Sequence, residues 1–190
     1  MNLPNRITLG RVFLSVLLFG LLEWWAQGRT GFAWHATFTL FVLVALGDGL
    51  DGYLARSRGQ ITTFGRIADP FADKILIGGV LVLEATLPET RDLVPAWFVI
   101  LVLGREFLVS GLRGYLEGRG VTFAARWEGK AKMVVQAFFC GTVLFYPGTG
   151  FEWVFWLARI ELWVTAAVTL WSAVTYIRRA AEVLGAGHET

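Results

Sequence analysis

The sequence reads as an all-α, polytopic membrane protein with six transmembrane helices. Three features point there. Residues of the set AVILMFWYC fill 55% of the 190 positions, charged residues only 17%, and mean hydropathy is +0.57. Apolar stretches of about 20 residues, the length that a bilayer core roughly 30 Å thick requires, recur between short polar breaks. Of the 17 Lys and Arg residues, 14 fall on one side of the arrangement that these stretches generate. Such apolar content exceeds that of an ordinary soluble domain. The low charge fraction and the lack of a G-X-Y or heptad period exclude disordered and fibrous classes. A net charge of +2 makes the placement of charges more informative than their sum, and no nucleic-acid partner is expected. The single cysteine, Cys140, permits neither an internal disulfide nor a cysteine-based zinc site.

The first span is placed at Ile7 to Ala26. Behind Arg6 and Arg11, the run Val12 to Leu22 could also be a signal peptide, but Glu23, Trp24 and Trp25 follow where small residues of a cleavage site would stand, so it is read as a retained helix. The preceding LPNRITLGR alternates apolar and polar side chains and is expected to form a short N-terminal interfacial segment on the cytoplasmic surface. The remaining spans are placed at Phe32 to Ala55, Ile67 to Leu87, Val94 to Leu116, Lys130 to Tyr146, and Glu152 to Ile177. Turn residues at Gly28 to Gly31, Pro88 to Pro95 and Pro147 to Gly150 close one side, and Ser57 to Arg66 and Glu117 to Gly129 connect the other. No linker divides the chain, so residues 1–190 are expected to form one membrane domain.

Lys and Arg in short loops are retained in the cytoplasm. The side that holds both termini and the two longer connections carries all of them except Arg29, Arg91 and Arg159, so both termini are expected to be cytoplasmic. Trp24, Trp25, Trp34, Trp97, Trp153 and Trp156 fall at the opposite interface, as an aromatic belt requires.

Four carboxylates stand at or just inside the cytoplasmic boundary: Asp48 and Asp51 in the second span, Asp69 and Asp73 in the third. An ionised Asp there costs several kcal/mol unless compensated. The i, i+3 and i, i+4 spacings put each pair on one helix face, and the short Ser57 to Arg66 connection is expected to make the two helices antiparallel neighbours. A convergent set of oxygen ligands suits a hard divalent cation, Mg²⁺ or Mn²⁺, which keeps positions open for water and phosphate oxygens. Four negative charges balance two such ions, and a two-metal site points to phosphoryl chemistry. Gly47, Gly49, Gly52, Ala55, Gly59 and Gly65 leave the adjoining helix surfaces bare enough for a bulky ligand. Any one of these residues has an ordinary alternative, since lone acids at helix ends are usually solvated or paired and small residues in membrane helices usually pack. A divalent-cation transporter is the competing class, but it needs acids at the midplane rather than at one interface.

Residues 48–73 read DGLDGYLARSRGQITTFGRIADPFAD, and this stretch resembles the signature of the CDP-alcohol phosphatidyltransferase family, D-x2-D-G-x2-A-R-x8-G-x3-D-x3-D. Asp48, Asp51, Gly52, Ala55, Arg56, Gly65, Asp69 and Asp73 meet every defined position. At average residue frequencies a chance match in a chain of this length is on the order of 10⁻⁸. The resemblance implies six transmembrane helices, a homodimer, an active site at the cytoplasmic face of a bacterial inner membrane, and transfer of a substituted phosphate from a CDP-linked donor to an alcohol with release of CMP. It implies that Asp48, Asp51, Asp69 and Asp73 hold two Mg²⁺ or Mn²⁺ ions, and that Asp73 also takes the proton of the acceptor hydroxyl. Gly52, Ala55 and Gly65 would line the cytidine pocket, with Arg56 on the donor diphosphate.

Two further stretches, NLPNRITLGR and residues 104–136 from GREFLVSGLR to EGKAKMVVQ, are similar to the branch that joins CDP-diacylglycerol to glycerol 3-phosphate. Met133 departs from that branch, where a small hydroxyl residue is expected after Lys132. A phosphorylated acceptor needs cations, and Arg105, Arg113 and Lys130 are the expected acceptor-phosphate residues, with Lys132 and Gln136 as further candidates. Arg105 lies inside an apolar run, where an unpaired charge is costly. The positive-inside rule and anionic headgroups are the competing explanation for the basic residues, and account for Arg119, Arg126, Arg178 and Arg179. Glu106, seven residues before Arg113, is expected to orient an arginine. Asn5, Thr8 and Arg11 are placed either at the donor headgroup or in simple surface anchoring. Other acceptors within the family, namely inositol phosphate, serine or phosphatidylglycerol, stay open.

Overall fold

The computed structural model describes the backbone of residues 3–27, 32–57, 63–121 and 127–186 and, within them, all side chains except those of 3–6, 32–33, 48–57, 63–67, 69, 128, 130 and 186. Among the described residues the structure is helical throughout: α1 (Leu3–Ala26), α2 (Phe32–Ser57), α3 (Thr63–Glu84), α4 (Ala96–Gly118), α5 (Trp127–Thr149) and α6 (Glu152–Ala186). The turn expected at Gly28 to Gly31 lies outside the described residues. At 1.5 Å per residue, helices of 22 to 35 residues extend about 33 to 52 Å. Ile7–Ala26 and Glu152–Gly185 are long and apolar enough to cross a membrane on their own, and Trp34–Gly47 is a shorter apolar stretch. In α3 and α4 the apolar run is interrupted by charge near the candidate site, as by Asp73, Lys74, Arg105 and Glu106.

The helix ends follow from local chemistry. α4 starts behind Pro95, whose extended backbone cannot continue a helix backwards. It stops in a Schellman motif: Gly120 takes φ +76°, its N–H bonds to Glu117 O at 3.0 Å, and Val121 N–H bonds to Leu116 O at 3.0 Å. Gly150, at φ +61°, closes α5 with an N–H bond to Tyr146 O at 2.8 Å, so α6 begins two residues later and packs back antiparallel on α5. Both positions demand the left-handed conformation that glycine adopts without penalty.

Large apolar side chains lie on the outside of the bundle, and a group of polar and charged ones lies inside it. Phe13, Ile100, Phe107, Phe138 and Trp163 are each more than 60% exposed, while Thr8, Arg11, Ser15, Arg105, Lys132, Gln136, Thr169 and Ser172 are buried. An apolar core drawn from all six helices fills the end of the bundle away from these charges, with Phe98 and Phe139 edge to face at 5.0 Å. α1 packs against both α2 and α3, and α5 also touches both. Among the described residues α1 and α5 each contact both helices, and the side chains and connection on which the expected α2–α3 pairing rests lie outside the described residues.

Two further expectations are corrected. LPNRITLGR is not a separate surface segment: from Leu3 it is the first turns of α1, where Thr8 and Arg11 are buried and Arg11 donates to Asp73. Trp25 and Trp34 are buried rather than belt residues, whereas Trp24, Trp97, Trp153 and Trp156 are exposed. Trp34 is held inside by its indole N–H, which donates to Leu144 O at 2.7 Å. Its ring covers Gly148 so closely that no Cβ fits there. Gly148→Ala is therefore expected to cost about 1–3 kcal/mol through overpacking, read as a lower thermal midpoint in detergent.

Candidate active site

A cavity of about 230 Å³ lies between α3, α4, α5 and α6. Each helix contributes one face. α3 supplies Asp73 and Lys74, one turn beyond Pro70, which itself lines the cavity. α4 supplies Arg105, Glu106 and Arg113; α5 supplies Gly129, Lys132, Met133 and Gln136 at the i, i+3, i+4, i+7 spacing of one helix face; α6 supplies Tyr176. Among the described residues four cations stand against two carboxylates, a local positive surplus that suits a phosphate.

The side chains are pinned by specific bonds. Arg11 Nη2 donates to Asp73 Oδ1 at 2.6 Å, which ties α1 to α3. Lys74 Nζ donates to Ser110 Oγ at 2.6 Å, and that hydroxyl donates to Glu106 O at 2.6 Å. Arg105 Nη1 donates to Glu106 Oε1 at 2.9 Å, and Lys132 Nζ forms an ion pair with the same oxygen. Arg105 Nη2 donates to Ser172 Oγ at 2.5 Å, and its Cζ lies 5.3 Å from the Tyr176 ring centroid. The Nε atoms of Arg105 and Arg113 are buried without a hydrogen-bond partner.

Of the residues singled out in the sequence, the structure brings Asp73, Arg105 and Arg113 to one cavity, together with Lys132 and Gln136. Asp48, Asp51, Gly52, Ala55 and Arg56 lie in α2, Gly65 and Asp69 in α3, and Lys130 in α5, with their side chains outside the described residues. Glu106 pairs with Arg105, the arginine it orients, and with Lys132, and Met133 lines the cavity.

Sequence reading missed the contribution of α6. Thr165, Thr169, Ser172 and Tyr176 are all buried, and their i, i+4, i+7, i+11 spacing is a hydroxyl stripe along an otherwise apolar helix. Gln136 Nε2 lies 3.4 Å from Thr169 Oγ1 in the same row. That spacing was present in the sequence as a signal. A second cavity, about 410 Å³ and almost wholly apolar, runs between α2, α5 and α6 and includes Phe38, Phe41, Leu46, Phe138 and Trp153.

The family model for CDP-alcohol phosphatidyltransferases matches residues 1–171, and the chain belongs to that family. It is a transferase of a class of membrane enzymes that depend on divalent metal, which sets aside the cation-transporter alternative. The chain is 35% identical over 192 residues to the CDP-diacylglycerol–glycerol-3-phosphate 3-phosphatidyltransferase of Bacillus subtilis (strain 168), covering 96% of this chain and 97% of that one. It is 33% identical to the enzyme of the same name from Rickettsia felis, over 93% of this chain and 94% of the relative. The enzyme so named in Shigella flexneri serotype 5b is 32% identical, with 94% of each chain covered.

Proposed function

We propose that this protein transfers the phosphatidyl group of CDP-diacylglycerol to glycerol 3-phosphate, giving phosphatidylglycerophosphate and CMP. The observation that carries the acceptor is the cavity's cationic surplus beside Asp73. A phosphorylated alcohol supplies the missing negative charge, whereas serine would leave it uncompensated. The relatives' shared name and their coverage of nearly the whole chain support the same acceptor.

The donor set fits a hard metal. Asp48, Asp51, Asp69 and Asp73 are all-oxygen ligands, two on α2 and two on α3, and would hold two Mg²⁺ or Mn²⁺ ions. Such ions, when bound, polarise the donor phosphate and stabilise the leaving CMP. The remaining work falls to side chains. Arg105 and Arg113 bind the acceptor phosphate together with Lys132, which lines the same cavity, and with Lys130 from the first turn of α5. Asp73, oriented by Arg11, accepts the proton of the attacking hydroxyl. The acceptor oxygen bonds to the lipid-bearing phosphorus as the bond to CMP breaks, without a covalent enzyme intermediate. Gly52, Ala55 and Gly65 line the cytidine pocket, and Arg56 contacts the diphosphate. The apolar groove starts at Leu46, two residues before Asp48 in α2, and reaches Phe38 about 12 Å along that helix, which suits part of one acyl chain of the donor.

In this reading all six helices span the bilayer, both termini face the cytoplasm, and the enzyme works as a homodimer at the cytoplasmic face of a bacterial inner membrane. Large apolar side chains exposed on the outer faces of the helices support it. CMP release by purified protein with Mg²⁺ and CDP-diacylglycerol is expected with glycerol 3-phosphate and not with serine, inositol phosphate or phosphatidylglycerol. Release with one of those instead would keep the family and replace the acceptor.

A further inference from the structure

Arg105 and Lys132 reach the cavity from different helices, yet one carboxylate oxygen receives both: Glu106 Oε1 accepts from Arg105 Nη1 at 2.9 Å and pairs with Lys132 Nζ. Both cations are buried, 6% exposed each, where like charges brought together would repel with little screening from water. Neither is exhausted by the pairing. Lys132 carries three N–H donors, and the buried Nε of Arg105 has no partner. Arg105 is further fixed by Ser172 and the Tyr176 ring on α6. Ser110, one turn along α4, donates to the backbone oxygen of Glu106 and receives Lys74, so the helix turn that carries the carboxylate is itself held.

We infer that Glu106 is the positioning residue of the acceptor site, holding Arg105 and Lys132 at one spacing so that their remaining donors meet the acceptor phosphate together. This rests on the acceptor reading above. Glu106 touches neither substrate in this account and acts through the two cations. Its negative charge by itself opposes anion binding, so the inference turns on preorganisation outweighing that repulsion.

The test is steady-state kinetics of full-length protein in mixed micelles with Mg²⁺, varying each substrate in turn. Glu106→Gln keeps the shape but loses the charge that holds the cations, and is expected to raise the KM for glycerol 3-phosphate about 10-fold or more with the KM for CDP-diacylglycerol unchanged. Glu106→Asp should recover part of the loss. In a cycle with Lys132→Gln, the double variant should lose little more than the worse single variant, because Glu106 works through Lys132. An unchanged or lower KM for glycerol 3-phosphate in Glu106→Gln overturns the inference, as does an equal rise in both KM values, or full additivity in the cycle. A wild-type protein that fails to saturate with glycerol 3-phosphate overturns the acceptor reading instead.

Discussion

Asp73→Asn is expected to reduce kcat by about 10³-fold or more while the protein still folds and binds CDP-diacylglycerol. General-base catalysis contributes roughly 10²–10⁴-fold, and the loss of a metal-binding carboxylate adds to it. Asn preserves the volume and one oxygen for Arg11, which lies 2.6 Å from the carboxylate in the wild type. The structural cost is accordingly that of a weakened charged hydrogen bond, about 1–3 kcal/mol. Measured together, CMP release should vanish while CDP-diacylglycerol still raises the thermal midpoint in detergent. Near-normal turnover would remove Asp73 from the role of base.

The sequence points to this residue through the spacing of the aspartates taken together. D-x2-D and D-x3-D fix helix faces whatever the tertiary packing, and the signature spans only residues 48–73. Arg105 was legible for a different reason: a charge inside an apolar run demands a partner. The partner itself was not legible. Glu106 sits seven residues from Arg113 but pairs across to α5, a contact set by how α4 and α5 dock rather than by either helix alone. The N-terminal residues read as interfacial because their alternation suits water on one side, whereas Arg11 is satisfied by Asp73 inside the bundle. The hydroxyl stripe of α6 was visible but overshadowed by the helix's apolar composition.

The second large effect concerns Arg113. It lines the cavity, and its buried Nε has no hydrogen-bond partner, so replacing it breaks no described ion pair. Arg113→Ala is expected to weaken acceptor binding by about 2–3 kcal/mol, which is roughly a 30- to 150-fold rise in the KM for glycerol 3-phosphate. The KM for CDP-diacylglycerol and the thermal midpoint should scarcely move. Arg105→Ala provides the contrast: it also frees Ser172 and leaves Glu106 with Lys132 as its remaining described partner, so it should lower stability as well as acceptor affinity. Equal changes in both KM values for Arg113→Ala would take it out of the acceptor pocket.

The most direct measurement of the whole account follows isotope-labelled glycerol 3-phosphate into chloroform-extractable lipid, using purified protein, CDP-diacylglycerol and Mg²⁺, with and without a chelator. The account predicts label in a lipid carrying two phosphates, one CMP released per labelled lipid, and loss of both on chelation with recovery when Mg²⁺ is restored. Label left entirely in the aqueous phase, or transfer that survives complete chelation, would contradict it.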